Sequence, residues 1–403
     1  MKKTGIIFIL CIIVLLAACS AETEDRLPQN TQSIENKEEE PEKEYQAKLD
    51  AIEPSAYSNA DGLPLEAGTH ISVIGRAQDS AFWKEIEKGA KQAVADINEE
   101  HNYEGNDRIK VTYNGPSESN NVNEQVNILD EELARYPIAL AISIVDVQAC
   151  EVQFDIATES GIPVVAFESG SDYKGLMAMV SMDNKKSAQE AADKMAQAIE
   201  EKGKVIILSE DSGSATTLTR EKAFSKATKK NYPGMKVAGV YHLNEMKKIV
   251  ADEVNAGTYS LDGEEIAEED ISEEGLSEEE RIEESVITQE NIIDYMLRKD
   301  PDIKGIFATS GKTAVSALEG LNRQQIENVT IIGYDMGGTE RDALKEGKIS
   351  DLVVQNPFGM GYASVIAAAR SALELGNEAD IDTGYIWINS DNLEDENVQK
   401  MLY

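Results

Sequence analysis

The sequence predicts an α/β protein of two doubly wound, Rossmann-like lobes, and three observations carry that expectation. Short β-rich runs alternate with amphipathic stretches along most of the 403 residues, nine such runs exceed what one small sheet needs, and 41% hydrophobic residues supply a sizeable core. Strand-helix alternation implies parallel sheets, right-handed crossovers and helices on both faces, and the strand count divides the chain into two lobes. The net charge is −37, from 38 basic and 75 acidic residues. Nothing so acidic neutralises phosphates, so nucleic acid is excluded as a partner. Three histidines and three cysteines leave little material for a His-Cys metal site, and no cofactor is expected.

The chain opens on Lys2 and Lys3, an apolar run from Ile6 to Leu16 and small residues ending at Cys19. Residues 1–18 read as an export signal, too short for a comfortable membrane span and closed by a small-residue processing site. Leu16-Ala17-Ala18-Cys19 resembles the lipobox of bacterial lipoproteins. That resemblance implies cleavage before Cys19 and its lipidation (palmitate), leaving a mature charge of −39 and Cys150 as the one remaining thiol. No internal disulfide is then possible, and Cys150, in a predicted helix, reads as a small packing residue.

Residues 19–68, rich in Glu, Gln, Asn, Lys, Pro and Ser, are expected to form a disordered acidic tether spanning about 40 Å. From His70 on, candidate strands fall at 71–75, 108–113, 138–144, 163–167, 204–208, 235–241, 305–309, 330–334 and 352–355. Between them lie helical patterns, as in Phe82, Ile86, Ala90, Ala93, Val94 and Ile97. The rhythm breaks at 252–286, where residues 262–284 hold thirteen acids against Arg281 alone. This stretch is expected to be a solvated acidic insertion, since it lacks the spacing of a calcium loop.

Several motifs fail. Ser310-Gly311-Lys312-Thr313 follows a strand as a phosphate loop would, but the required earlier glycine is Ile306. Gly359-Met360-Gly361-Tyr362-Ala363-Ser364 lacks the third glycine of a dinucleotide fingerprint, so its glycines are assigned to turning and close packing. No Gly-x-Ser-x-Gly elbow exists, and His70, His101 and His242 have no local partner for general-base work.

Five ordered stretches remain. They are Ser80-Ala81-Phe82-Trp83 with Gly89-Ala90; Ile144-Val145-Asp146 with Gly161-Ile162-Pro163-Val164-Val165; and Ser181-Met182-Asp183-Asn184. Gly203-Lys204-Val205 with Thr219-Arg220-Glu221-Lys222-Ala223-Phe224 follows, and then Ile332-Gly333-Tyr334-Asp335 with Gly347-Lys348-Ile349 and Val354-Gln355-Asn356-Pro357. Together, over about residues 69–376, they resemble the type I periplasmic (sugar-binding) protein family, the ribose- and galactose-type solute receptors of ABC importers. The resemblance implies two lobes joined by three hinge crossings, near 181–184, 355–357 and 384–388. Lobes of 69–181 plus 357–384 and of 182–356 plus 385–403 follow, with the insertion in the second and a ligand between them.

A sugar offers hydroxyls and faces of C–H groups, so its site wants planar polar groups and an aromatic face. Phe82 and Trp83 stand at the family's stacking positions; Phe82 shares helical spacing with Ile86, which favours Trp83 as the ring contact. Arg220 matches the family's arginine donor, Asp335 its accepting aspartate and Gln355 the glutamine of the second hinge. Asp79, Asp146, Glu168 and Ser310 complete the candidate contacts. The chain departs from the family at Glu168, where sugar binders carry aspartate, at Ser169 in place of an arginine, at Ser310 in place of an asparagine, and at Arg76-Ala77-Gln78-Asp79. Arg220 and Asp335 are expected to stand in water when the cleft is empty.

These features imply an extracytoplasmic, lipid-anchored, non-enzymatic and monomeric receptor that captures a sugar-like ligand and hands it to an ABC permease. The alternative is a sensor for an autoinducer or nucleoside that signals through a membrane partner. A hydrolase would need an activated nucleophile or poised acid-base pair, which no motif supplies.

Overall fold

A computed structural model describes residues 44–262, 276–277 and 281–403. The signal segment 1–18, Cys19 and the tether up to residue 43 lie outside the described residues, as do 263–275 and 278–280 of the insertion. The first half of the described chain runs α1 (Gln46–Asp50), β1 (His70–Ile74), α2 (Ala81–Glu100), β2 (Lys110–Asn114), α3 (Val122–Leu133), β3 (Ala139–Ile142), α4 (Val147–Glu159), β4 (Val164–Phe167) and β5 (Leu176–Ser181). The second runs α5 (Asn184–Ala198), β6 (Gly203–Ser209), α6 (Ala215–Asn231), β7 (Met235–His242), α7 (Leu243–Asn255), α8 (Gln289–Lys299), β8 (Ile303–Ala308), α9 (Gly311–Arg323), β9 (Thr330–Tyr334), α10 (Gly338–Lys345) and β10 (Asp351–Gln355). Last come α11 (Pro357–Ala372), β11 (Asp380–Asp382), β12 (Tyr385–Ile388) and α12 (Glu396–Met401).

Two six-stranded sheets result, ordered β11-β5-β4-β3-β1-β2 and β12-β10-β9-β8-β6-β7. Every pairing is parallel except β10 with β12. The two orders superpose strand for strand, β1 matching β6 and β4 matching β9. The chain passes between the sheets after β5, after β10 and between β11 and β12. The expected two-lobed α/β class is therefore the observed one. The central strands are buried on both faces, as parallel strands under helices must be.

Helix α11 carries the core of the first lobe, with nearly all its residues buried. It crosses α2 where two glycines meet. A Cβ on Gly89 would stand 1.9 Å from the Phe358 carbonyl oxygen, and one on Gly361 2.0 Å from that of Ile86. Of the glycines of the failed nucleotide motif, Gly361 thus serves close helix packing, and Gly359 leaves room for the Asn356 side chain that caps α11.

Two expectations are corrected. Residues 44–68, expected within the tether, are folded onto the first lobe: Leu49, Ile52, Tyr57, Leu63 and Leu65 are buried in its core. Glu53 bridges Asp382 through paired backbone bonds of 2.8 and 3.0 Å, and His101 and Tyr103 reach the carbonyls of Leu63 and Leu65 at 2.7 and 2.9 Å. A polar average over 50 residues concealed a widely spaced apolar set that finds a groove. The described edges of the insertion are also packed. Asn255 exchanges bonds of 3.1 and 2.8 Å with the Ile282 backbone, and Tyr259 lies edge-on to Tyr295 at 4.9 Å.

Cys150 is buried on α4, and burial pushes its thiol up to about 11, an inert packing residue. Among the described residues no helix is long and apolar enough to cross a membrane, and no group of three or more His, Cys, Asp or Glu is placed to hold a metal.

Candidate ligand-binding cleft

Loops at the carboxyl ends of the parallel strands converge where ligands of open α/β sheets lie. The matching strands β4 and β9 each end in an acid with a left-handed backbone, Glu168 at φ 58° and Asp335 at φ 61°. Eight other described non-glycine residues share this region, at helix ends and in loops; these two are the ones that directly follow a strand. The turn takes each acid off its strand's alternation.

Arg220, in α6, is 4% exposed. Its Nε donates to Asn184 Oδ1 at 2.8 Å, one terminal nitrogen to the Thr309 carbonyl at 2.7 Å and the other to Gln355 Oε1 at 3.2 Å. The guanidinium carbon lies over the Tyr334 ring, 3.7 Å from its centroid, which adds cation–π attraction. Gln355 then passes its own amide to Asp335 Oδ1 at 2.8 Å. A continuous chain thus joins Arg220, Gln355 and Asp335, and Asn184 and Gln355 sit at the first two passages between the sheets. The expectation that Arg220 and Asp335 stand in water is corrected: the guanidinium is buried and bonded to the Thr309 carbonyl, Asn184 and Gln355, and Asp335 Oδ1 already accepts from Gln355 and Tyr403. Burial pushes the Asp335 carboxyl up, opposed by the Arg220 charge and the bond from Gln355, and the Glu168 charge adds to the rise.

On the first lobe, Glu168 Oε2 accepts from Ser143 Oγ at 2.7 Å and lies 3.7 Å from Arg76, whose Nε donates to Asn120 Oδ1 at 2.9 Å. Arg76, noted in the sequence as a departure, thus partners the other departure, Glu168. The lobes touch where Thr216 Oγ1 donates to the Glu168 carbonyl at 2.9 Å.

Phe82 opens α2, half-buried, with its ring 6.1 Å from that of Tyr403. Trp83 is 9% exposed and packs edge-on to Phe167 at 6.5 Å. The preference for Trp83 is not supported by its burial: Trp83 shares the buried stripe of α2 with Ile86 and Ala90, whereas Phe82, one position round the helix, stays half-buried beside Tyr403.

The remaining candidates are peripheral to this group. Asp146 is exposed and caps α4, accepting from the Ala149 amide at 3.0 Å. Ser310 caps α9 and donates to Glu210 Oε1 at 2.8 Å, while Asp79 is exposed in the loop before α2. A groove of about 1730 Å³ runs beside the passages between the sheets. It includes Asp146, Ser169 and Thr216 but none of Phe82, Arg220 and Asp335. Asn184 and Tyr334 were present in quoted motifs without an assigned role; Tyr403 had no signal in the sequence.

A family model described as a periplasmic binding protein domain matches residues 71–377. The chain belongs to the periplasmic binding protein family. Among its relatives, the ribose import binding protein of Bacillus subtilis is 22% identical over 249 residues, covering 62% of this chain and 68% of the relative. That of Escherichia coli is 22% identical over 325 residues, covering 80% and 90%. A solved carbohydrate transporter solute binding protein of Agrobacterium radiobacter, in complex with D-arabinose, is 23% identical, with TM-score 0.64 over 84% of this chain and 99% of the other. The periplasmic binding protein fold thus spans both sheets described above, and the sequence resemblance is borne out.

Proposed function

We propose that this protein captures a sugar or sugar-like small molecule between its lobes and delivers it to an ABC importer. The observation that carries the reading is the pairing of two inward acids, Glu168 and Asp335, with a buried arginine and a half-buried aromatic ring. Carboxylates accept from hydroxyls, the Arg220–Gln355 chain fixes the Asp335 oxygen, and Phe82 offers an apolar face to ring C–H groups. The ribose import binding proteins among its relatives support the ligand class. No bond is made or broken in this mechanism. A ligand touching both lobes stabilises their closed arrangement by its differential affinity.

A hydrolytic reading gains nothing from the one histidine that finds an acid. His242 lies 2.9 Å from Glu221, but buried Ser209 donates to that same Glu221 rather than to the imidazole. The lobes are assigned as 69–181 plus 357–384 and 182–356 plus 385–403, with 44–68 added to the first.

A melting-temperature screen of pentoses, hexoses, polyols and nucleosides tests the function. A ligand bound only by the folded chain must raise the transition, so a shift with monosaccharides is expected, and a shift confined to nucleosides would favour the sensor. The resemblance of residues 1–19 to an export signal with a lipobox supports an extracytoplasmic, membrane-anchored protein. Cys19→Ala should release the protein from the membrane fraction, and retention after signal cleavage would rule out lipidation as the anchor.

A further inference from the structure

Tyr403, beyond α12, belongs to no motif, yet it reaches the centre of the site. Its hydroxyl donates to Asp335 Oδ1 at 3.1 Å, the same oxygen that accepts from Gln355. Its ring meets Phe82 of the other lobe edge-on, with 6.1 Å between centroids and 69° between planes. One six-membered ring with one hydroxyl therefore spans from the aromatic residue of the first lobe to the acceptor of the second. Those are the two demands that the site makes of a ligand on the reading above, on which this inference rests.

We infer that Tyr403 is a specificity-determining residue that occupies the ligand's place and is displaced by a monocyclic, hydroxyl-bearing ring of similar size. The phenol supplies one donor to Asp335 and an apolar edge to Phe82. A pyranose supplies the same pair of contacts and adds further hydroxyls for Glu168, which the phenol leaves to Ser143 and Arg76. A ligand without a hydroxyl to give to Asp335 gains nothing by expelling Tyr403, because the carboxylate would lose a donor in a buried setting. Competition of this kind lowers apparent affinity by the fraction of molecules whose site is open. With the ring docked in about nine molecules of ten, that factor is about ten.

The test uses the full chain with 3-fluorotyrosine at position 403, read by fluorine NMR, and calorimetric titrations of Tyr403→Ala and Tyr403→Phe with D-ribose, D-arabinose and D-galactose. Without sugar, the fluorine resonance should lie away from its position in the urea-unfolded chain and shift on Phe82→Ala. Saturating sugar should move it toward the unfolded position. Tyr403→Ala should bind the sugar about tenfold more tightly than the unaltered chain, and Tyr403→Phe, which loses only the donor, should fall between. A resonance already at the unfolded position without sugar would overturn the inference. So would a Tyr403→Ala protein that binds as the parent does or more weakly, which would make Tyr403 a bystander or a permanent wall while leaving sugar binding intact. No binding by any of the three proteins, with the fluorine signal docked, would overturn the sugar reading itself and the competition with it.

Discussion

Asp335 and Arg220 behave differently as probes of the site, and the difference lies in burial. Arg220 holds the Thr309 carbonyl, Asn184 and Gln355 together, so truncating it leaves several buried groups unpaired and disturbs the fold as well as any ligand contact. Asp335 is the cleaner handle. Its carboxyl is held above the ordinary value chiefly by burial. A raised carboxyl contributes stability that is fully present below its unfolded value and lost as pH rises through its folded value. Asp335→Asn keeps an acceptor for Gln355 and Tyr403 but cannot ionise. The ligand-free variant should therefore melt above the parent at neutral pH, with the gap closing as pH falls to the ordinary carboxylate range; a gap indifferent to pH would contradict this account. Arg220, Asp335 and Gln355 were legible as candidates because they sit in the family's motifs, Asp335 and Gln355 at strand ends and Arg220 within α6. Tyr403 was not, since its role depends on where the chain returns in space after its last strand, and no local pattern encodes that.

Helix α11 and its partner α2 form the tightest joint between elements. Gly361 faces the Ile86 carbonyl oxygen so closely that an added methyl would stand 2.0 Å from it. The helices must part to admit it, and overpacking of this kind costs about 1–3 kcal/mol. Gly361→Ala should accordingly lower the unfolding free energy obtained from urea titration by that much, and an unchanged midpoint and slope would show that the helices can slide. The nine predicted strands were readable because they are Val- and Ile-rich. Three were not. In β5, Leu176-Met177-Ala178-Met179-Val180-Ser181 has little β-branched character, β11 is Asp380-Ile381-Asp382, and β12 lay in a stretch read only as a hinge crossing. Sheet pairing decides such segments where propensity does not. The same holds for residues 44–68, whose few apolar side chains count only once the lobe offers a surface for them.

At the scale of the molecule, two sheets of matching strand order place an acid with a left-handed backbone after each of two equivalent strands, and the chain passes between the sheets three times. A ligand that joins Glu168 and Phe82 of one lobe to Asp335 of the other couples binding to the relative position of the lobes. The family fold was legible from five motifs in order, whereas the proposed ligand contacts involve Glu168 and its partner Arg76, where the chain departs from the family pattern, and Tyr403, which lies in no motif. Calorimetric titration of a monosaccharide identified by melting shift, into the parent protein and into Asp335→Ala, tests the central claim most directly. A charged acceptor contributes roughly 1.5–3 kcal/mol per hydrogen bond. One sugar per chain should bind the parent, with affinity about ten- to a hundred-fold weaker in Asp335→Ala at an unchanged stoichiometry. Equal affinity in the two proteins, with both folded, would place the ligand elsewhere and contradict the account.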